Sequence, residues 1–353
     1  MMLYIHLPFC KQKCRYCAFC SGVHSYETMR RYVDRLIALI GHHLQDKTLR
    51  TIYIGGGTPG VLPLDLWEKL LGVLLPYTDT VEEFTVELNP ESTTSQLLRQ
   101  LKAGGVNRLS FGVQSLSDRE LSAVGRLHTA DKALSALKLA KVHGFDNISA
   151  DLIYALPEQT PKSFSNSVST LLDAGITHLS CYNLQLEEGT ELFERQDEFS
   201  FPDEEQQMEM YDTLLRLTKQ AGFVHYEISN FCRPDKRALH NSGYWTREDY
   251  LGLGISAHSK LGEKRCSFAE DISEFIDKKD FSFDEVEQLS ESDIREEQIM
   301  LGLRTDSGVP LGLVDKSKAE HFVSMGLGTI QGDRFVLNDR GFMLSNTIIA
   351  ELI

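Results

Sequence analysis

MLYIHLPFCKQKCRYCAFC, residues 2–20, joins a strand-like run to four cysteines at positions 10, 14, 17 and 20. MLYIHLP reads as a first strand, and the loop after it is crowded with thiols. A cubane iron–sulfur cluster and a structural zinc both take four ligands, so the stretch poses a choice. If all four thiolates share one centre, the site is closed and structural. If one stands aside, a coordination position stays open for chemistry. Structural zinc usually draws two pairs of ligands from separate turns, and wrapping one short loop around a single ion would strain the backbone. A cubane presents irons at different corners, so three closely spaced cysteines can each take one. Cys10, Cys14 and Cys17 are those three. Cys20 is read as staying off the cluster, with a fourth-ligand, redox or space-filling role left open.

Outward from that loop, strand-like and helix-like segments alternate to about residue 230. The strand candidates are MLYIHLP, RTIYIGGG, EEFTVELNP, RLSFGVQS, NISADLIYALP and HLSCYNLQLE. Between them lie helical patterns such as YETMRRYVDRLIALIGHHL, LDLWEKLLGVLL, PKSFSNSVSTLLDAG and EEQQMEMYDTLLRLTKQAG. Several helices are expected to close on glycine, at Gly104, Gly144, Gly175 and Gly222. Strand–helix repetition implies parallel strands with right-handed crossovers. Six repeats fall short of an eight-fold barrel, so the fold class expected is α/β, a partial (β/α)6 TIM-like barrel with its chemistry at the strand C-terminal ends.

After HYEISNF the rhythm changes. HNSGYWTREDYLGLGISAHSK is rich in glycine and aromatics and reads as loop plus short strands. A helical region begins at SESDIREEQIM; within it LGTIQGDRFVLND reads as a hairpin turning at Gly332–Asp333, and RGFMLSNTIIAELI as a final helix. The expected division is a core at 1–230, a connecting segment at 231–282 and a small winged-helix-like α+β domain at 283–353. Winged helices often bind DNA, but the acidic surroundings favour a packing or lid role here.

Bulk properties narrow the field. The chain has 353 residues, 42% hydrophobic and 25% charged, enough for one large domain and a small one in a soluble globular protein. No apolar run reaches the ~20 residues of a membrane span, and the N-terminus has no signal-peptide pattern, so a cytoplasmic location is expected. A net charge of −15 with no long Lys/Arg run argues against nucleic acid as a partner. Seven cysteines with four crowded at one end suit a metal site better than a disulfide framework.

Cys-x3-Cys-x2-Cys after a first strand resembles the signature of radical S-adenosylmethionine (SAM) enzymes. The resemblance implies a [4Fe–4S] cluster on Cys10, Cys14 and Cys17 whose unique iron chelates the amino and carboxylate groups of SAM. An electron from the reduced cluster would then split the sulfonium to a 5′-deoxyadenosyl radical. Gly55-Gly56-Gly57-Thr58-Pro59 directly follows a strand, where glycines let backbone groups approach a ligand. It resembles the element that contacts the methionine end of SAM, through Gly56, Gly57 and Thr58. Glu87 is similarly implied as a double acceptor for the ribose hydroxyls. Gln114 and Asp151 hold comparable strand-end positions. Arg126 is a candidate fork for the SAM carboxylate, against the plainer reading of a helix-terminal cation. Tyr4, six residues before Cys10, resembles a tyrosine that contacts SAM near the cluster.

YIHLPFC, GGGTP, ELNP, RLSFGVQS, DLIYALPEQT and YEISNF together resemble one branch: the oxygen-independent coproporphyrinogen III oxidases and their relatives, the HemW-type haem chaperones. Three features favour the chaperones. The oxidases carry a Cys-x-Cys ending, whereas position 19 is Phe. They have a longer N-terminal extension, and this chain starts almost at its first strand. His240-Asn241-Ser242-Gly243-Tyr244-Trp245 matches the HNxxYW motif associated with haem, implying haem contact by His240, Asn241, Tyr244 and Trp245. For the axial ligand, His240, His258, Tyr244 and Cys232 all remain candidates. Two departures stand out: Cys17-Ala18-Phe19 where chaperones commonly read Cys-Asp-Phe, and GISAH at 254–258 where a GPGAH-type text is usual.

The implied function is to bind haem and deliver it to apo-haemoproteins such as respiratory enzymes, with membrane contact only through those partners. The enzymatic rival is oxidative decarboxylation of coproporphyrinogen III. A zinc-stapled binding protein using all four N-terminal cysteines is a third class.

Overall fold

The computed structural model describes residues 1–353. In chain order the first elements are β1 (Met2–Leu7), α1 (Tyr26–His43), β2 (Thr51–Gly56), α2 (Leu64–Leu74), β3 (Glu83–Leu88), α3 (Ser95–Ala103) and β4 (Arg108–Gln114). Then come α4 (Asp118–Ala123), α5 (Ala130–Val142), β5 (Asn147–Tyr154), α6 (Pro161–Asp173), β6 (His178–Asn183), α7 (Glu191–Glu194) and α8 (Glu204–Gln220). β1 to β6 pair in sequence order and all in parallel, the partial barrel that the strand–helix alternation predicts.

Local chemistry sets the helix ends. Ser25 caps α1 by accepting from the Thr28 N–H. Thr160 and Ser163 form a reciprocal capping box on α6, with Pro161 in the first turn, and Asp203 and Gln206 do the same for α8. α1 buries Met29, Tyr32, Val33, Leu36, Leu39 and Ile40, the three- and four-residue spacing of one helical face. Each such side chain contributes about 1.5–3 kcal/mol when fully buried. Gly144, Gly175 and Gly222 take the left-handed backbone expected of C-terminal caps. At the end of α3 the cap falls one residue later than expected: Gly104 is right-handed at φ −82°, and Gly105, at φ +89°, makes the turn.

Strand alternation divides the barrel into two environments. Leu3, Ile5, Leu7, Ile52, Ile54, Phe84, Val86, Leu109 and Phe111 belong to a core of 55 buried residues beneath the helices. The alternate positions, including Tyr53, Glu87, Arg108, Ser110, Asp151 and Ser180, line an interior cavity. A polar lining of this kind makes a binding chamber rather than a packed barrel centre.

The sheet then continues at both edges. β7 (Val224–Glu227) and β8 (Asn230–Cys232) form a hairpin that joins the sheet through β8, which runs antiparallel to β6. α9 (Leu239–Trp245) occupies the HNSGYW stretch, which is therefore a short helix and not the expected loop. β9 (Tyr250–Leu253) pairs in parallel with β1 at the opposite edge. It is followed by β10 (His258–Leu261), β11 (Lys264–Ser267), α10 (Ile272–Asp277) and β12 (Glu285–Gln288), all three strands antiparallel. Twelve strands thus make one open sheet that runs past residue 282, where the sequence pattern suggested a boundary.

The remainder is α11 (Glu291–Gly302), β13 (Val309–Pro310), α12 (Lys316–Ser324), β14 (Gly328–Gln331), β15 (Arg334–Leu337), α13 (Asp339–Met343) and α14 (Ser345–Leu352). β14 and β15 form the expected hairpin around Gly332–Asp333, whereas the single final helix is two, broken at Leu344. This winged-helix-like unit has its own core of 13 buried residues and joins the barrel through β7: the Ile228 N–H donates to Arg304 O, and the Asp306 N–H to Tyr226 O. No helix is long and apolar enough to cross a membrane.

Candidate functional site at the strand C-terminal ends

The cysteine loop leaves β1 and is pinned by backbone bonds before any side chain contributes. The Gly57 N–H donates to Leu7 O, the Thr58 N–H to Phe9 O at 2.7 Å, and the Cys10 N–H to Gly22 O at 2.8 Å. Further along, the Arg15 N–H reaches Val124 O, and its guanidinium donates to the carbonyls of Ser122 and Ala123 and to Glu191. Cys10, Cys14 and Cys17 all line one cavity of about 500 Å³ at the open end of the barrel. Cys20 does not: its thiol lies 3.6 Å from Glu270 O, and its carbonyl meets His6 Nε2.

The three glycines after β2 are required for three different reasons. A Cβ on Gly55 would fall 2.7 Å from the Glu87 carboxylate. Gly56 has φ +109°, and a Cβ there would strike the His6 ring. A Cβ on Gly57 would lie 2.8 Å from Phe9 O and 3.0 Å from Cys10 Sγ, so this residue makes room for the thiol loop. Thr58 Oγ1 donates to Cys10 Sγ at 3.6 Å and accepts from Asn89 Nδ2 at 2.9 Å.

Asn89 is a hub, since its Oδ1 also accepts from Arg126 Nη2 at 2.8 Å. Arg126 turns into the cavity, donating through Nη2 to Gly112 O and through Nη1 to Cys14 Sγ at 3.4 Å. It is no mere helix-terminal cation. Its Nε is out of solvent and has no partner, which leaves one guanidinium donor for an incoming acceptor.

Glu87 sits deeper. Its carboxylate accepts from Tyr53 Oη at 2.6 Å and from the Gly56 N–H at 3.1 Å, and burial pushes its pKa up to about 7. Asp151 accepts from Ser110 and Ser149, and burial raises its pKa as well. Gln114 ends β4 at an irregular register with φ +66°, a backbone that costs a non-glycine residue about 1 kcal/mol or more and that clusters at functional sites. All of these line the same cavity.

Four of the singled-out residues, Tyr4 for SAM and His240, Tyr244 and Trp245 for haem, lie outside this cavity. Tyr4 faces a second cavity, and its hydroxyl meets His6 Nδ1 at 2.9 Å. His240 is almost fully buried, with Nδ1 on Thr51 Oγ1 at 2.8 Å and Nε2 on Tyr244 Oη at 2.9 Å. Burial lowers its pKa to about 3, so it is a neutral core histidine with both nitrogens engaged. Tyr244 reaches the second cavity, and Trp245 reaches neither. Asn241 is the one residue of the motif that lines the first.

Sequence reasoning missed Asn89, Tyr53, Ser110 and Arg108. Asn89 was within reach, because it follows Glu87 by two residues in ELNP and strand alternation turns both to the same side. Arg108 is buried near Glu83 at the cavity floor, and nothing in RLSFGVQS separates it from a surface cation.

The Radical SAM superfamily profile matches residues 4–171. The chain is 35% identical to the heme chaperone HemW of Bacillus subtilis, over 87% of this chain and 84% of that protein. It is 32% identical to the heme chaperone HemW of Lactococcus lactis, over 99% of this chain and 96% of that one. Among solved structures it is similar to coproporphyrinogen III oxidase (HemN) from Escherichia coli, a radical SAM enzyme. The TM-score is 0.85, with coverage of 99% of this chain and 89% of that one. At 22% identity that likeness is one of fold.

Proposed function

This chain belongs to the HemW family of radical SAM proteins, and from that premise we propose that it binds haem and delivers it to apo-haemoproteins, respiratory enzymes among them. It holds a [4Fe–4S] cluster on Cys10, Cys14 and Cys17, with SAM beside it. The observation that supports this most is the identity to heme chaperones along nearly the whole chain. The likeness to the oxidase is one of fold and carries no reaction with it. All seven cysteines are free, as suits the cytoplasm, where we place the protein.

The residues present fit these groups. Three thiols share one cavity while the fourth is turned to Glu270, so the donor set is three cysteines with a position to spare. When bound, the cluster and SAM supply one-electron cleavage of a sulfonium carbon–sulfur bond. The protein's part is positional. Thr58, Asn89 and Arg126 hold the thiol loop, and Arg126 Nε offers a donor to a carboxylate. Glu87 offers paired acceptor oxygens to a diol, and Gly56 and Gly57 open the backbone to the ligand. Gln114 and Asp151 complete the wall. Tyr4 and His240 have no part in it.

The test is transfer. Full-length chain loaded with one equivalent of haem is mixed with a haem-free respiratory cytochrome, and the absorption spectrum is followed. The expected result is a Soret band on the chain, then its replacement by the spectrum of the holo-cytochrome. A chain that takes up no haem, or that never releases it to the acceptor, overturns the reading.

A further inference from the structure

A second cavity of about 340 Å³ lies behind the first, between the β9–β11 extension of the sheet and α11. Helix α9 is the partition, sending Asn241 into the first cavity and Tyr244 into the second. Tyr4, Tyr244 and Tyr250 give the second cavity aromatic surface, with the Tyr244 and Tyr250 rings set edge to face, centroids 4.7 Å apart at 83°. Arg247, Lys260 and Arg265 give it three cations, in a chain whose net charge is −15. Glu297 pairs with both arginines and Asp249 with Lys260, so the cations outnumber their carboxylate partners. Two polar atoms here are out of solvent and have no partner, Arg247 Nη2 and Ser256 Oγ. A buried guanidinium nitrogen left unpaired is costly, and a ligand carboxylate would relieve that cost.

His258 also lines this cavity. It is exposed, and its imidazole makes no hydrogen bond to the protein, in contrast to the fully engaged ring of His240. Aromatic walls, excess positive charge and a free imidazole form the complement of a metallated tetrapyrrole with propionate side chains.

We infer that haem is held in this second cavity, its macrocycle stacked on one of the perpendicular Tyr244 and Tyr250 rings and met by the edge of the other, its propionates on Arg247 and Arg265, and its iron ligated by His258. The inference rests on the reading of the chain as a haem carrier. It moves the ligand away from His240, whose place in the motif is to hold Tyr244 in the partition. An exposed ligand at a cavity mouth also suits a cargo that must leave.

The experiment is anaerobic haem titration of full-length wild type, His258→Ala and Arg265→Ala, followed at the Soret band. His258→Ala is expected to shift the Soret maximum and weaken binding at least tenfold. Arg265→Ala is expected to weaken haem about tenfold, a typical loss for one charge-assisted contact, while leaving the affinity for iron protoporphyrin dimethyl ester unchanged. Both side chains are exposed enough that the fold should survive, and unchanged thermal midpoints and cluster content check this. If wild type binds haem and both variants match it in affinity and spectrum, the second cavity is not the site, and the carrier reading stands without it. Displacement of haem by SAM would put the ligand in the first cavity and likewise overturn the inference. If wild type binds no haem, the carrier reading itself has failed.

Discussion

Glu87 couples the site to pH. Its carboxyl titrates at about 7 in the folded chain, against an ordinary value of 4.5. Between those values the folded chain keeps a proton that the unfolded chain has released, so stability falls as pH rises from about 4.5 to about 7 and then levels. The full shift corresponds to about 3 kcal/mol. Asp151, raised by the same burial, acts in the same direction. Glu87→Gln keeps the volume and removes this titration. Urea unfolding at pH 5, 6, 7 and 8 should therefore show a shallower decline in the variant, and SAM should bind it at least tenfold more weakly. Equal slopes would mean that Glu87 ionises freely. Cys14→Ser should abolish the cluster, read as loss of iron and sulfide after reconstitution, whereas Cys20→Ser should retain both. Equal loss in the two variants would restore the closed, four-thiolate reading. The gathering of Cys10, Cys14 and Cys17 at one cavity was legible because their spacing is local. Asn89 was not, because its importance lies in bridging Thr58 and Arg126, residues far from it in sequence.

Among the elements, α9 departs furthest from its reading in the sequence. HNSGYW presented six matched positions, but a motif does not say which way its side chains face. In a helix, positions 240 and 244 share a side while 241 points away: Asn241 lines the first cavity, Tyr244 lines the second, and His240 is buried behind Tyr244 and lines neither. Gly243 is needed where the helix crosses the start of β1, since a Cβ there would strike the Met2 side chain. Deleting the His240 ring leaves the Thr51 and Tyr244 hydroxyls without their partner and opens a cavity. His240→Ala should thus cost about 2–4 kcal/mol of stability, measured by chemical denaturation. A variant as stable as wild type that had lost haem alone would return His240 to the ligand shell. β1 to β6 and their helices were legible because each spans several periods of its repeat. β7 to β12 have three or four residues each, too few to show alternation.

At the scale of the molecule, the sequence indicated a barrel and a tail but not their joining. Pairing of β9 with β1 links residues about 250 positions apart, and no local pattern encodes it. The winged-helix-like unit docks on β7 by backbone bonds, yet its core is separate. Phe335, fully buried there, is a test of that independence. Phe335→Ala should cost about 3–5 kcal/mol, seen as faster amide exchange confined to residues 290–352 while the barrel keeps its protection. Faster exchange throughout would make the two units one cooperative whole. A haem carrier and a decarboxylase of this fold share the cluster and the SAM site and differ in the reaction they run. Chain reconstituted anaerobically, shown to hold its cluster and to bind SAM, is given dithionite and coproporphyrinogen III beside an authentic oxidase as positive control. A haem carrier yields no protoporphyrinogen IX while the control turns over. Turnover by this chain would contradict the carrier reading and make the chamber the active site of a biosynthetic oxidase.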